Sequence, residues 1–147
     1  MGSTVIAVMI FNHRTAFAHA INHLPTQTEP AKNELQDLSA IDSKLYEHLK
    51  AFINEQGYLQ SNLTITQLAI QLNCPEHHLR KLINQSLGYT NFATFLNHYR
   101  IAEACKRLKN SPLPVLTIAL DVGYGSIAPF NRAFKDITCE LTASYRS

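Results

Sequence analysis

Residues 63–86 and 113–137 are variations on one short pattern set about fifty positions apart, and that duplication constrains the fold more than any other feature. Leu68-Ala69 recurs as Ile118-Ala119, and Asn73-Cys74 recurs as Gly123-Tyr124. Leu79 and Ile83 recur as Phe130 and Phe134, offset by 51 because the second turn is one residue longer. An apolar–Ala pair, a tight turn, and a second helix with an apolar i, i+4 pair read as a helix-turn-helix. A short chain with two such units is built for a bidentate task, and two recognition helices on one small body point to DNA.

Composition agrees with that picture without deciding it. At 147 residues and 46% hydrophobic, the chain can bury an ordinary core in one or two small domains. Glycine is scarce and no stretch alternates apolar and polar residues for long, so an all-α fold is expected. Cys74, Cys105 and Cys139 make an odd set without paired spacing, which argues against a disulfide framework and fits a reducing cytoplasm. The net charge of +2 is unevenly spread: residues 1–60 carry four Lys/Arg against six acids, and residues 61–147 carry nine against five. The basic excess sits with the duplication, which suits a polyanionic partner.

Ahead of the duplication, the apolar run at residues 5–11 (VIAVMIF) is far short of the ~18–20 residues that cross a bilayer. It also lacks the basic start and cleavage site of a secretory signal. It is expected to be a docked stub or the tail of a larger apolar element, which leaves open a membrane tether in a longer protein. Residues 24–40 hold two prolines and many polar residues and read as a loose linker. Ser39 or Asp42 is placed to cap a helix running to about Gln56, with Leu45, Leu49, Phe52 and Ile53 inward and Gly57 ending it. Residues 1–41 are therefore read as an N-terminal segment, the remnant of a larger sensing domain, and residues 42–147 as the folded unit.

In the first unit, Thr64 or Thr66 caps a short helix, Asn73 suits a left-handed turn position, and Pro75 falls near the first position of the next helix. That helix is expected to run to about Leu87, with Gly88 as its stop. Residues 91–108 form the longest periodic stretch. As a helix it spans about 27 Å, close to the ~34 Å between major-groove faces on one side of B-DNA. Pro112 and Pro114 break the chain. The second unit then runs from residue 115, turns at Gly123-Tyr124-Gly125, uses Ser126 as N-cap of a helix to about Asp136, and ends in a short helix at residues 142–146.

With those residues laid out, residues 64–146 resemble the DNA-binding domain of the AraC/XylS family of bacterial transcription regulators. The second half carries the more specific match: Ile118-Ala119, Gly123-Tyr124, Ser126, the run Phe130-Asn131-Arg132-Ala133-Phe134-Lys135, and Tyr145-Arg146. The first half matches through Leu68-Ala69, Leu79, Leu82 and Gly88, and the linker through Phe92, Phe95-Leu96, Arg100-Ile101, Ala104 and Leu108. The resemblance implies two homeodomain-like helix-turn-helix subdomains joined by a long linker helix, preceded here by a short loosely structured segment. Two departures stand out. The family usually has Gly and Pro where this chain has Cys139 and Thr142, which predicts a strained or altered turn. One residue more than usual separates Gly88 from Phe92.

In a helix-turn-helix the N-terminal half of the second helix enters the major groove. That exposes Glu76, His77, Arg80 and Lys81 in the first unit, and Ile127, Ala128, Asn131 and Arg132 in the second. By the resemblance, His77, Arg80 and Lys81 match base-reading positions, as do Ile127, Ala128, Pro129 and Arg132. Arg80 can fork onto guanine, whereas the small apolar groups around Arg132 leave it most of the hydrogen bonding, with methyl contacts to thymine beside it. Asn131 is placed for a phosphate or a base. Thr64, Thr66 and Ser126, with helix-start N–H groups, are candidate phosphate contacts. Arg100 is expected to bridge helices through buried carbonyls rather than touch DNA, and Lys106, Arg107 and Lys109 to be solvated.

Cys74 with His77 and His78 lacks the fourth ligand and spaced pair of a structural zinc site, and Cys105 and Cys139 fall on positions expected to be buried. Neither a metal nor a cofactor is expected. An enzyme of the methyl-acceptor kind needs four clustered cysteines upstream, and none precedes Cys74. The expected function is a non-enzymatic promoter-binding activator that also meets RNA polymerase. The alternative is a protein-interaction module that meets polymerase or another regulator without reading bases. The parent protein is expected to be longer and to dimerise through its missing domain, with this piece alone a monomer.

Overall fold

The computed structural model describes the backbone of residues 31–146 and the side chains of residues 42–145. Seven α-helices and no strand occur among the described residues. α1 (Ala31–Asn54) starts well before Ser39 and Asp42, the residues expected to cap it. Its opening sequence AKNELQDL consists largely of strong helix formers, so propensity carries the helix through both. This corrects the linker reading for residues 31–40; residues 24–30 and the run at 5–11 lie outside the described residues. Leu45, Leu49 and Phe52 are buried as their spacing predicts. The chain leaves α1 at Gln56 (φ 59°) rather than at Gly57. Gly57 is needed for space instead, since a Cβ there would lie 2.2 Å from the Phe52 ring.

After a 3-10 turn (Gly57–Leu59) the duplication appears as one backbone pattern built twice. α2 (Ile65–Gln71) opens the first unit and α5 (Val115–Asp121) the second. Leu72 and Val122 N–H groups donate to Leu68 and Ile118 carbonyls at 2.9 and 3.0 Å. Cys74 and Tyr124 N–H groups donate to Ala69 and Ala119, both at 3.0 Å. Between them Asn73 (φ 50°) and Gly123 (φ 96°) take the left-handed conformation that reverses the chain. Thr64, not Thr66, caps α2 in a capping box: its hydroxyl accepts the Gln67 N–H, and its own N–H donates to Gln67 Oε1.

Pro75 is the N-cap of α3 (Glu76–Lys81), one position earlier than expected. The regular helix then gives way to a π-turn (Leu82–Ser86) in place of the continuous helix expected to Leu87. Leu87 N–H donates five residues back to the Leu82 carbonyl at 2.9 Å. Residues five apart stack in a π-turn, so Leu82 stays buried while Leu87 also packs on the first core. Gly88 (φ 74°) then lets Tyr89 N–H reach the Ile83 carbonyl at 3.1 Å.

α4 (Phe92–Asn110) starts at Asn91, whose side chain accepts the Thr94 N–H at 2.9 Å. It serves both cores: Phe95 and Leu96 pack with α1 to α3, while Ile101, Ala104, Cys105 and Leu108 pack with α5, α6 (Ile127–Thr138) and α7 (Thr142–Arg146). Ser126 is the N-cap residue of α6, but its side chain makes no capping bond.

Cys139 ends α6 with φ 60° and is exposed, which corrects its expected burial. As the left-handed residue that turns the chain off the helix, it points its side chain away from the core. A non-glycine residue there costs ~1–2 kcal/mol, part of which glycine returns as lost unfolded-state restriction. Cys139→Gly is thus expected to stabilise the domain by about 0.5–1 kcal/mol and raise its melting midpoint by roughly 2–6 °C. A thermal melt showing no rise would refute strain at this turn.

Candidate nucleic-acid interface

Arg100, placed on α4 between its two sets of core contacts, adds a polar brace between the two units. It is 7% exposed although charged. Its Nε donates to the Tyr58 carbonyl at 2.8 Å and Nη2 to the Gln60 carbonyl at 2.7 Å. Its Cζ lies 5.5 Å from the Tyr124 ring centroid. Burial pulls its pKa down, yet a guanidinium remains charged in proteins. The residue therefore ties the segment before α2 to the turn of the second unit, as its expected bridging role requires. Tyr124 adds a second tie by donating its hydroxyl to Asn97 Oδ1 at 2.7 Å. Burial raises the Tyr124 pKa, so the phenol stays neutral and keeps that proton.

In the first unit, Leu79, Leu82 and Ile83 face the core and His77, Arg80 and Lys81 are exposed on the opposite side. His77 packs edge-to-face on His78, with ring centroids 4.3 Å apart. His78 is half-buried, and its Nδ1 has no hydrogen-bond partner. Arg80 is paired within its own helix. Its Nε and Nη2 both donate to Glu76 Oε1, at 2.9 and 2.6 Å. Glu76 Oε2 accepts the Thr66 hydroxyl at 2.6 Å. The hydrogen bond from Thr66, then that from Arg80, holds the Glu76 carboxyl below the usual carboxylate range. Sequence reasoning exposes Glu76 but gives it no task, although a Glu–Arg pair at i, i+4 is a readable signal.

In the second unit, Ala128, Pro129, Asn131 and Arg132 are exposed, while Phe130, Ala133 and Phe134 are buried. Ile127 is half-buried against the second core, so only part of it is available to a partner. Asn131 Oδ1 accepts the Thr142 hydroxyl at 3.2 Å, which joins the outer face of α6 to the start of α7. Thr64 and Ser126 are exposed at the starts of α2 and α6.

The basic residues of α4 are less solvated than expected. Arg107 bonds Glu103 at 3.0 Å and lies 3.8 Å from Asp121, which links α4 to α5. Lys109 sits 4.9 Å from the Tyr145 ring centroid on α7. Lys106 extends toward Glu103 at 3.8 Å and is otherwise exposed. These partners lie on other turns or other helices, which sequence distance conceals. Among the described residues no His, Cys, Asp or Glu cluster is able to hold a metal ion, and no helix is long and apolar enough to cross a membrane.

Compared with known proteins, the family description of the helix-turn-helix domain matches residues 68–147. An uncharacterized HTH-type transcriptional regulator of Staphylococcus aureus is 35% identical over 89 residues, which is 60% of this chain and 12% of that protein. The chain therefore spans a small part of the length of the curated relatives it matches. The C-terminal domain of AraT, a response regulator from Geobacillus stearothermophilus, superposes with a TM-score of 0.62 at 30% identity, covering 70% of this chain and 83% of that one. The DNA-binding domain of AdpA, a global transcriptional factor in complex with a target DNA, shares the fold at a TM-score of 0.60 and 20% identity, over 69% of this chain and 88% of that one. With its paired turns, the linker helix between them and these matches, the chain belongs to the AraC/XylS family of helix-turn-helix transcription regulators rather than to an enzyme family.

Proposed function

We propose that this chain is the DNA-reading part of a transcription regulator that grips two successive major-groove segments of a promoter. The observation that carries this reading is the pair of second helices, α3 and α6. Each locks its apolar face into a core and leaves its N-terminal half exposed, on one body braced by Arg100. In the first head His77, Arg80 and Lys81 contact base edges, with Arg80 forking onto guanine. In the second, Arg132 supplies most of the hydrogen bonding, Ala128 and the exposed part of Ile127 meet thymine methyls, and Asn131 holds a base or phosphate. Thr64 and Ser126 lie beside the DNA backbone, where they fix register rather than specify sequence, whereas the Thr66 hydroxyl is already donated to Glu76. The two segments lie about ten base pairs apart, and the first is read more stringently.

The regulator acts as an activator in the cytoplasm and meets RNA polymerase while bound. Leu113, Leu116 and Leu120, exposed along α5 and just before it, offer apolar surface for a protein contact.

Selection from random duplexes at one stated salt concentration tests the core of the proposal, since affinity without salt is uninterpretable. Arg80→Ala is expected to lose about 1–3 kcal/mol of discrimination at one base position, and Arg132→Ala less than that at a second. If neither change weakens binding to any selected duplex, α3 and α6 are not reading heads. In that case the module works through protein contacts alone.

A further inference from the structure

The first turn of α3 carries a carboxylate at the place where a reading helix approaches phosphates. Negative charge there opposes binding to a polyanion. The fold does not require it: Glu76 and Arg80 side chains are 35% and 55% exposed, and exposed pairs contribute little to stability. Yet both oxygens of Glu76 are engaged. One carboxylate oxygen takes both Nε and Nη2 of Arg80, and the other takes the Thr66 hydroxyl from the preceding helix.

We propose that Thr66, Glu76 and Arg80 form a specificity device in which Glu76, itself anchored by Thr66, positions Arg80 to read guanine end-on. This deepens the reading of α3 as a major-groove head and rests on it. Glu76 occupies the guanidinium edge formed by Nε and Nη2. What remains is the end formed by Nη1 and the outward N–H of Nη2, two parallel donors spaced for guanine O6 and N7. A fork held before binding has less rotamer freedom to lose on contact and presents one edge rather than two. While unmatched, Arg80 stays paired with Glu76, which weakens its pull on phosphates at wrong sequences. Thr66 accordingly acts through Glu76 as a positioning residue, since its proton is already given to the carboxylate.

The duplication supplies an internal contrast. At its own offset, Thr66, Glu76 and Arg80 correspond to Leu116, Ile127 and Asn131. The second head lacks all three parts, so the device is confined to the first.

The test uses the whole chain in competition binding at one salt concentration, with duplexes drawn from the random selection and an unrelated duplex as control. Arg80→Ala first identifies the base position that depends on Arg80. At that position Glu76→Ala is expected to reduce the preference for guanine about fivefold or more, with Thr66→Val acting in the same direction by less. Glu76→Gln, which keeps an acceptor but no charge, falls between native and alanine. Affinity for the unrelated duplex stays level or rises in every Glu76 variant. Unchanged guanine preference in both Glu76→Ala and Thr66→Val overturns the device. So does equal tightening on all duplexes, which would make Glu76 a mask only. If Arg80→Ala changes preference at no position, the reading head itself fails and the device falls with it.

Discussion

Arg100→Ala is expected to destabilise the domain by about 3–5 kcal/mol, because a buried and a part-buried carbonyl both lose a charged donor. Tyr58 and Gln60 accept at 2.8 and 2.7 Å from the same guanidinium. Each hydrogen bond to a charged group contributes roughly 1.5–3 kcal/mol, and a stranded acceptor costs roughly 1–3 kcal/mol. The net lies below the sum because removing the cation also removes its own desolvation cost, visible in its lowered pKa. Against a total stability of about 5–15 kcal/mol, that loss is a large fraction. Arg100→Lys recovers less than half, since one ammonium cannot reproduce a planar fork with two fixed directions. Arg100→Met refills the space and leaves the carbonyls unpaired, so it separates packing from hydrogen bonding. Urea denaturation of the three variants gives the order Met and Lys above Ala, all below native. Native-like stability in Arg100→Met would mean that desolvation cancels the hydrogen bonds, as it does for some buried ion pairs.

The parts of the fold that are legible in the sequence share one property: they are decided within a few residues. The turn at Asn73 and the turn at Gly123 are both readable, because an apolar–Ala pair and a left-handed residue at fixed spacing admit one local solution. The apolar faces of α3, α4 and α6 are readable from helical period. Arg100 is readable as a bridge because a charged residue on an apolar stripe must find carbonyls. What escapes depends on energies that cross elements. The N-terminal extension of α1 past Ser39 and Asp42 shows that propensity can outweigh two good caps. The π-turn at Leu82–Ser86 goes with the packing of half-buried Leu87 and buried Tyr89 on the first core, which no window of α3 reveals. Cys139 looks like a core residue by type and is instead a turn residue in a glycine position. At the candidate site, exposure of the residues proposed to read bases is predictable, whereas the bond from Thr66 across to Glu76 joins two helices and is not.

Gly123→Ala is expected to cost about 2–5 kcal/mol, from about 1–2 for a left-handed residue with a side chain plus about 1–3 for overpacking. A Cβ there would stand 2.8 Å from the Leu59 carbonyl oxygen and 2.9 Å from Arg100 Cζ and Nη2. Neither neighbour yields easily. Leu59 is backbone between the two carbonyls that Arg100 holds, and the guanidinium is fixed along its Nε–Nη2 edge. Two other glycines separate the contributions. Gly88 also has positive φ (74°) but nothing within 4 Å of an added methyl, so Gly88→Ala isolates the conformational cost, about 1 kcal/mol. Gly125 meets nothing within 4 Å, and no left-handed backbone burdens it; Gly125→Ala is expected to be neutral or to stabilise by up to about 1 kcal/mol. Chemical denaturation of the three variants therefore yields a graded series, with Gly123→Ala lowest. Combining Gly123→Ala with Arg100→Ala is expected to cost less than the two apart, by about 0.5–3 kcal/mol, since the truncated side chain no longer blocks the methyl. Equal losses for Gly123→Ala and Gly88→Ala would show that the second turn does not press on Arg100.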